Sequence, residues 1–149
     1  MELIKYKTSI IFLFAICVFA VLPSTVIGQK QFVAEKTYKS NLAKQQKSSI
    51  QTLAQLRNDN ITESDELKLE YFFHTNTSKK AKELTDQLQI FGYEAAFKKS
   101  TDSPDLYLIT GWTMKMKMKE KLILEWTKVM CDLGYEFDCQ FKSWKRDSR

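Results

Sequence analysis

The sequence predicts an α+β sandwich: a four-stranded antiparallel sheet with two helices on one face, preceded by a further helix. Three observations predict it. Four segments, at residues 67–73, 93–97, 106–112 and 135–141, alternate with the period of strands. Two segments, at residues 81–91 and 122–133, carry apolar residues at three- and four-residue steps, the period of helices. The 149 residues are 44% hydrophobic and 28% charged, with only four glycines and two prolines. That composition excludes collagen-like, low-complexity and polytopic membrane chains, and argues against a sandwich of many short strands and tight turns.

The first 28 residues differ from the rest. Lys5 and Lys7 precede an unbroken apolar run at residues 10–22, then Pro23, and small residues around Val26 and Gly28. The run is short for a bilayer span, which needs about 20 apolar residues. A charged start, a short apolar run and a small-residue end are the parts of a secretory signal, with cleavage expected after Gly28. The alternative is an uncleaved anchor spanning residues 10–27. Cys17 lies inside the run rather than at its close, which sets aside a lipoprotein. The expected location is therefore exported, periplasmic or secreted, or else anchored at a membrane. Loss of the leader removes two lysines and one glutamate, lowering the net charge of +5 by one. The remaining basic bias is too mild to imply nucleic acid by itself.

Residues 29–49 are rich in Lys, Gln and Ser, with sparse apolar positions, and are expected to be a polar tether or a weakly packed helix. Ile50, Leu53, Ala54 and Leu56 then mark a short helix that ends in Arg57-Asn58-Asp59-Asn60. In the first strand Leu67, Leu69, Tyr71 and Phe73 form one buried face, and Phe72 suggests partial cover on the other. Thr77 or Ser78 caps the next helix, whose stripe is Ala81, Leu84, Leu88 and Phe91, and Gly92 terminates it.

Tyr93, Ala95 and Phe97 give the second strand. The Ser-Thr-Asp-Ser-Pro turn at residues 100–104 leads to the third, apolar on both faces and so expected to be central. Alternating Met and Lys from Met114 to Lys119 predict an extended entry, methionines inward and lysines outward. The last helix carries Leu122, Trp126, Val129 and Leu133 as its stripe, with Ile123 and Met130 beside it, and Gly134 as its expected stop. Tyr135, Phe137, Cys139 and Phe141 would be the inward side of the fourth strand, with Glu136 and Asp138 outward. A basic tail follows, residues 146–149 lying beyond the domain at residues 50–145. The order β-α-β-β-α-β is that of the ferredoxin-like split βαβ, with expected strand order 4-1-3-2.

Cys131 near a helix end and Cys139 within the following strand would lie too far apart for a bridge, so two buried free thiols and no disulfide are expected. No CxxC or His/Cys cluster is present, so neither a metal site nor a cofactor is expected. P-loop, GxSxG, HExxH and dinucleotide-binding glycine patterns are absent. Asn60-Ile61-Thr62 and Asn76-Thr77-Ser78 match glycosylation sequons, which have meaning only in a eukaryotic host.

The stretch from Gln51 to Trp144 resembles the RraB domain, named for a regulator of ribonuclease E activity. The matching pieces are Thr52-Leu53-Ala54-Gln55-Leu56-Arg57-Asn58-Asp59 and Leu69-Glu70-Tyr71-Phe72-Phe73-His74. To these are added Phe91-Gly92-Tyr93-Glu94 and Leu133-Gly134-Tyr135-Glu136-Phe137-Asp138. Where the family pattern continues Tyr-Asp-Gly-Trp, this chain has Phe137-Asp138-Cys139-Gln140, and its tryptophan comes later, at Trp144. The resemblance implies a bacterial, non-enzymatic regulator whose partner is another protein. Ribonuclease E itself would be within reach only if the chain stayed in the cytoplasm.

The expected contact surface is the outer sheet face, with Phe72 and His74, or the edge near Asp138 and Trp144. Two other functions are weighed against this one. His74, the sole histidine, could act as an acid or base with an acidic neighbour, or Glu136 and Asp138 could form an acid–base pair, but no catalytic residue is assigned. The run Lys115, Lys117, Lys119 and Lys121 could hold an anionic ligand or nucleic acid, with Phe72 and Tyr107 as outward aromatics for base stacking. Export argues against nucleic acid, and the bland reading of the run is a solubilising face.

Overall fold

The computed structural model describes residues 30–146. The leader, its cleavage point, Cys17 and the last three residues of the basic tail lie outside them. The described chain is α+β, with three helices and two antiparallel sheets. The elements in order are α1 (Glu35–Asn58), β1 (Glu66–Leu67), β2 (Leu69–Thr75), α2 (Ser78–Ile90), β3 (Glu94–Lys99), β4 (Tyr107–Trp112), β5 (Met116–Lys117), α3 (Glu120–Glu136) and β6 (Gln140–Arg146). The main sheet runs β3-β4-β2-β6, all antiparallel, which is the expected 4-1-3-2 order. β1 and β5 form a separate two-stranded ribbon that the sequence does not foretell, because Lys68 interrupts the predicted first strand.

The core lies between the sheet and the helices. Leu69, Tyr71 and Phe73 of β2, Ile109 of β4 and Phe141 of β6 are fully buried there, under Leu84 and Leu88 of α2 and Ile123 and Met130 of α3. Thr77 caps α2, its hydroxyl accepting from the Lys80 N–H at 3.3 Å.

All three helices end in the same motif. The residue after the C-cap takes a left-handed conformation, and its N–H and the next one bond back to the last turn. At α2 this residue is Gly92, φ +82°, as expected; at α1 it is Asn60, φ +63°, and at α3 Asp138, φ +54°. The Cys139 N–H donates to the Gly134 carbonyl at 2.7 Å, and the Asp138 N–H to that of Tyr135.

This corrects the reading of Gly134 and the fourth strand. The helix runs through Gly134 to Glu136, and the strand begins at Gln140, so Tyr135, Glu136, Phe137 and Asp138 are not strand residues. Gly134 serves close packing instead of turning the chain. A Cβ there would lie 2.4 Å from the Cys139 carbonyl oxygen and 3.0 Å from the Phe73 ring.

Other expectations are adjusted too. The segment 35–49, expected as tether or weak helix, is the first half of the 24-residue α1. Its polar residues are used: Gln45 and Ser49 are buried, and Tyr38 stacks on Tyr135 with ring centroids 4.7 Å apart. The stripe of α3 is rotated from the predicted one. Leu122 and Val129 are exposed, while Ile123, Thr127 and Met130 point inward, because α3 packs on both the sheet and α1. Of the alternating methionines only Met118 is buried, and Met114 is 61% exposed. Cys131 and Cys139 are buried free thiols, each with its pKa pushed up to about 12 by burial.

Candidate functional site

All three helices keep to one face of the main sheet and to the β6 edge. The other face is built by the alternate residues of four strands. Cross-strand pairing sets them in rows: Glu94, Trp112, Glu70 and Lys145; then Ala96, Thr110, Phe72 and Ser143; then Lys98, Leu108, His74 and Gln140. Its middle is apolar, with Trp112, Phe72 and Leu108 each half-buried on β4 and β2. Around them run charges. Lys68 pairs with Glu94 at 2.7 Å and Lys145 with Glu70 at 2.9 Å, and the Lys145 ammonium lies 5.5 Å from the Phe72 ring centroid. An apolar middle with a charged rim is the anatomy of a protein contact surface.

Phe72 and His74 therefore share one surface, as expected. Tyr107 does not belong to it: it lies opposite Thr75 on the helix side and meets Phe97 edge-on. Trp112 is the second outward aromatic, and the sequence reading did not assign it. The signal was available, since Ile109 in the core fixes Leu108, Thr110 and Trp112 to the other face. His74 sits between Leu108 and Gln140. Burial, and then the charge of Lys142, lower its pKa, with Asp102 acting weakly in the opposite sense. No side chain among the described residues hydrogen-bonds it.

Trp144 and Asp138 lie elsewhere. β6 carries a bulge opposite Phe72 and Phe73, so Phe141 and Trp144 both turn inward although three residues apart. Trp144 is 7% exposed, and its indole meets the Trp126 ring edge-on and donates to Ser49. Asp138 binds the segment that leads into α1. Its carboxylate accepts from the N–H groups of Phe32 at 2.9 Å and Val33 at 2.6 Å, and pairs with Lys80 at 2.6 Å. Burial opposes its charge, but Lys80 and these two donors outweigh it and hold the carboxyl below its ordinary value. Trp144 is thus buried, and the half-buried Asp138 carboxylate is engaged within the chain.

Lys115, Lys117 and Lys119 are exposed around β5, with Lys117 opposite Glu66 on β1. They lie beyond the Trp112 end of β4 and are not part of the open face. A polar cleft between α1 and β6 is lined by Lys36, Lys44, Lys142 and Gln140, among others. Among the described residues no group of three His, Cys, Asp or Glu side chains could hold a metal ion, and no helix is long and apolar enough to cross a membrane.

The family model described as "Regulator of ribonuclease activity B" matches residues 46–145, from the middle of α1 to the penultimate residue of β6. No curated protein matches the chain. The matched segment holds α2, α3 and all of the main sheet but Arg146, more than half of the sequence, and the chain therefore belongs to the RraB family.

Proposed function

We propose that this chain is a non-enzymatic regulatory domain that binds another protein through the open face of its sheet. The carrying observation is the apolar middle of that face, Phe72, Leu108 and Trp112, framed by the Lys68–Glu94 and Lys145–Glu70 pairs. Such a face suits a partner that presents an apolar strip flanked by charges of both signs. The family's description as a regulator supports a binding role over a catalytic one. The strand order and the helices on one face support a ferredoxin-like reading of the domain. The expected leader at residues 1–28 supports action outside the cytoplasm, with residues 10–27 as an anchor if cleavage fails.

The test is affinity capture with the full chain beside Phe72→Glu and Trp112→Ala variants, together with fractionation of the producing cells. One protein retained by the wild type and lost by both variants, with the chain in the envelope or medium, is the expected result. Capture of no protein above background, or capture that the two variants leave intact, overturns the reading of the face. Recovery of the chain in the cytoplasm overturns export and turns attention to a ribonuclease target, the one that the family's name suggests.

A further inference from the structure

The two edges of the main sheet are treated differently. At β6 the Asn41 amide donates to the Phe141 carbonyl and the Gln45 amide to that of Lys142, each at 2.8 Å, so α1 occupies that edge. β3, at the other edge, has no such cover. Among the described residues, only the Gln89 amide bonds to its outward backbone, donating to the Ala95 carbonyl at 2.9 Å. The residues of β3 are exposed apart from the half-buried Ala95, and Ile90 in the last turn of α2 is 76% exposed. An open strand edge offers a row of backbone donors and acceptors to another strand.

The direction of each backbone group of β3 can be read. The Glu94 carbonyl faces into the sheet, where it accepts from the Tyr71 hydroxyl at 2.6 Å, and the Ser100 N–H faces inward to the Leu106 carbonyl. The Ala95 carbonyl faces out, to Gln89. Ala95, Phe97 and Lys99 therefore present their N–H and C=O groups outward.

We propose that β3 pairs antiparallel with β3 of a second copy of this chain, about a two-fold axis through Ala96. In this register Ala95 of each copy faces Phe97 of the other as a hydrogen-bonded pair, both with outward backbone groups. Ala96 faces Ala96 as a non-hydrogen-bonded pair, in which Cα atoms approach to about 4.5 Å and small side chains fit best. Glu94 faces Lys98 of the other copy, twice, so opposite charges meet on both sides of the axis. Lys98 has no ion-pair partner among the described residues. Shifting the register by two residues in either direction breaks the Glu94–Lys98 match. The charge pattern thus selects a second copy over an arbitrary strand, and Lys98, a deterrent to unspecific pairing, becomes a contact. The pairing uses the backbone edge of β3 and shares only rim side chains with the open face, among them Glu94, which also meets Lys68 within its own chain at 2.7 Å; the apolar middle of Phe72, Leu108 and Trp112 stays free for the regulatory partner.

The test uses the full-length chain carrying Cys17→Ser and Ala96→Cys, with Cys17→Ser also in every control, oxidised mildly and read on a non-reducing gel. Residues on a strand-pair axis lie within the Cα limit of about 7 Å for a disulfide, and the native Cys131 and Cys139 are buried. A reducible band at twice the chain mass, several-fold stronger than for Lys119→Cys, is expected. Adding Glu94→Lys or Lys98→Glu to Ala96→Cys should weaken it, and mixing those two chains should restore it as a mixed pair, because each then meets opposite charges. A band no stronger than the Lys119→Cys control, linkage in cell extract to a foreign chain, or charge variants that do not rescue one another would overturn the proposal.

Discussion

The indole N–H of Trp144 donates to the hydroxyl of Ser49 across 2.8 Å of buried interior, joining residues 95 positions apart in the chain. The same hydroxyl lies 2.8 Å from that of Thr127, so one serine ties α1, α3 and β6 together. Ser49→Ala leaves the indole N–H without its acceptor. A buried unsatisfied donor costs about 1–3 kcal/mol, and urea unfolding of Ser49→Ala should show a loss of that size. Val at the same position, which adds bulk to a packed contact, should lose more.

Asp138 gives a prediction in pH. Its folded pKa is lowered, so its contribution is complete above the unfolded value, about 3.9, and is lost as pH falls through the lower folded one. The segment that Asp138 holds should release over that range. Protection of the Phe32 and Val33 amides, the exchange rate compared with that of an unfolded chain at the same pH, should fall below about pH 4, and in Asp138→Asn should be low already at neutral pH. Asparagine tolerates φ +54°, so the helix end should survive in that variant. Asp138→Ala should lose the helix end as well, and show the lower melting temperature of the two.

Two glycines that look alike in sequence, Phe91-Gly92 and Leu133-Gly134, should respond differently to alanine. Gly92→Ala makes only an ordinary contact, 3.8 Å to the Met114 sulfur, and its cost is that of the left-handed backbone, about 1–2 kcal/mol. Gly134→Ala forces a Cβ against the Cys139 carbonyl and the Phe73 ring, and the chain there must move. Thermal melting should show Gly134→Ala to be clearly the more damaging of the two.

His74 should titrate below its ordinary value of 6.5, for which burial is the first cause and Lys142 the second. The sign follows. A lowered folded pKa means that the neutral ring is favoured on folding, so stability is complete above about 6.5 and falls as pH drops towards the folded value. A proton NMR titration of the ring checks the direction. Lys142→Gln should move the pKa back up, and a titration at or above 6.5 in the wild type would contradict it.

The strands are legible because inward residues repeat with a period of two, Leu69, Tyr71 and Phe73 on β2, and Phe73 lies opposite the inward Ile109 of β4. Two features broke the sequence reading, for identifiable reasons. The bulge in β6 restarts the alternation between Phe141 and Trp144, and so a core tryptophan looked like part of a contact surface. Gly134 sits where a terminator would, but its missing Cβ serves a tertiary contact with Phe73 that no local pattern announces. Residues 35–49 looked too polar to pack because Gln45 and Asn41 spend their amides on the backbone of β6, a use of polarity that composition does not distinguish from exposure. At the candidate site, the alternation in β2 puts Phe72 and His74 on one face, whereas the outward place of Trp112 shows only from its register with Glu70, at the end of a strand that gives way to a lysine-rich run.

The cover that α1 lays over β6 sets a limit on lateral growth. A layer with two bare margins could add molecule after molecule and run on into a fibril. With one margin already closed from within its own chain, joining at the other leaves no free end, and any such assembly terminates at a pair.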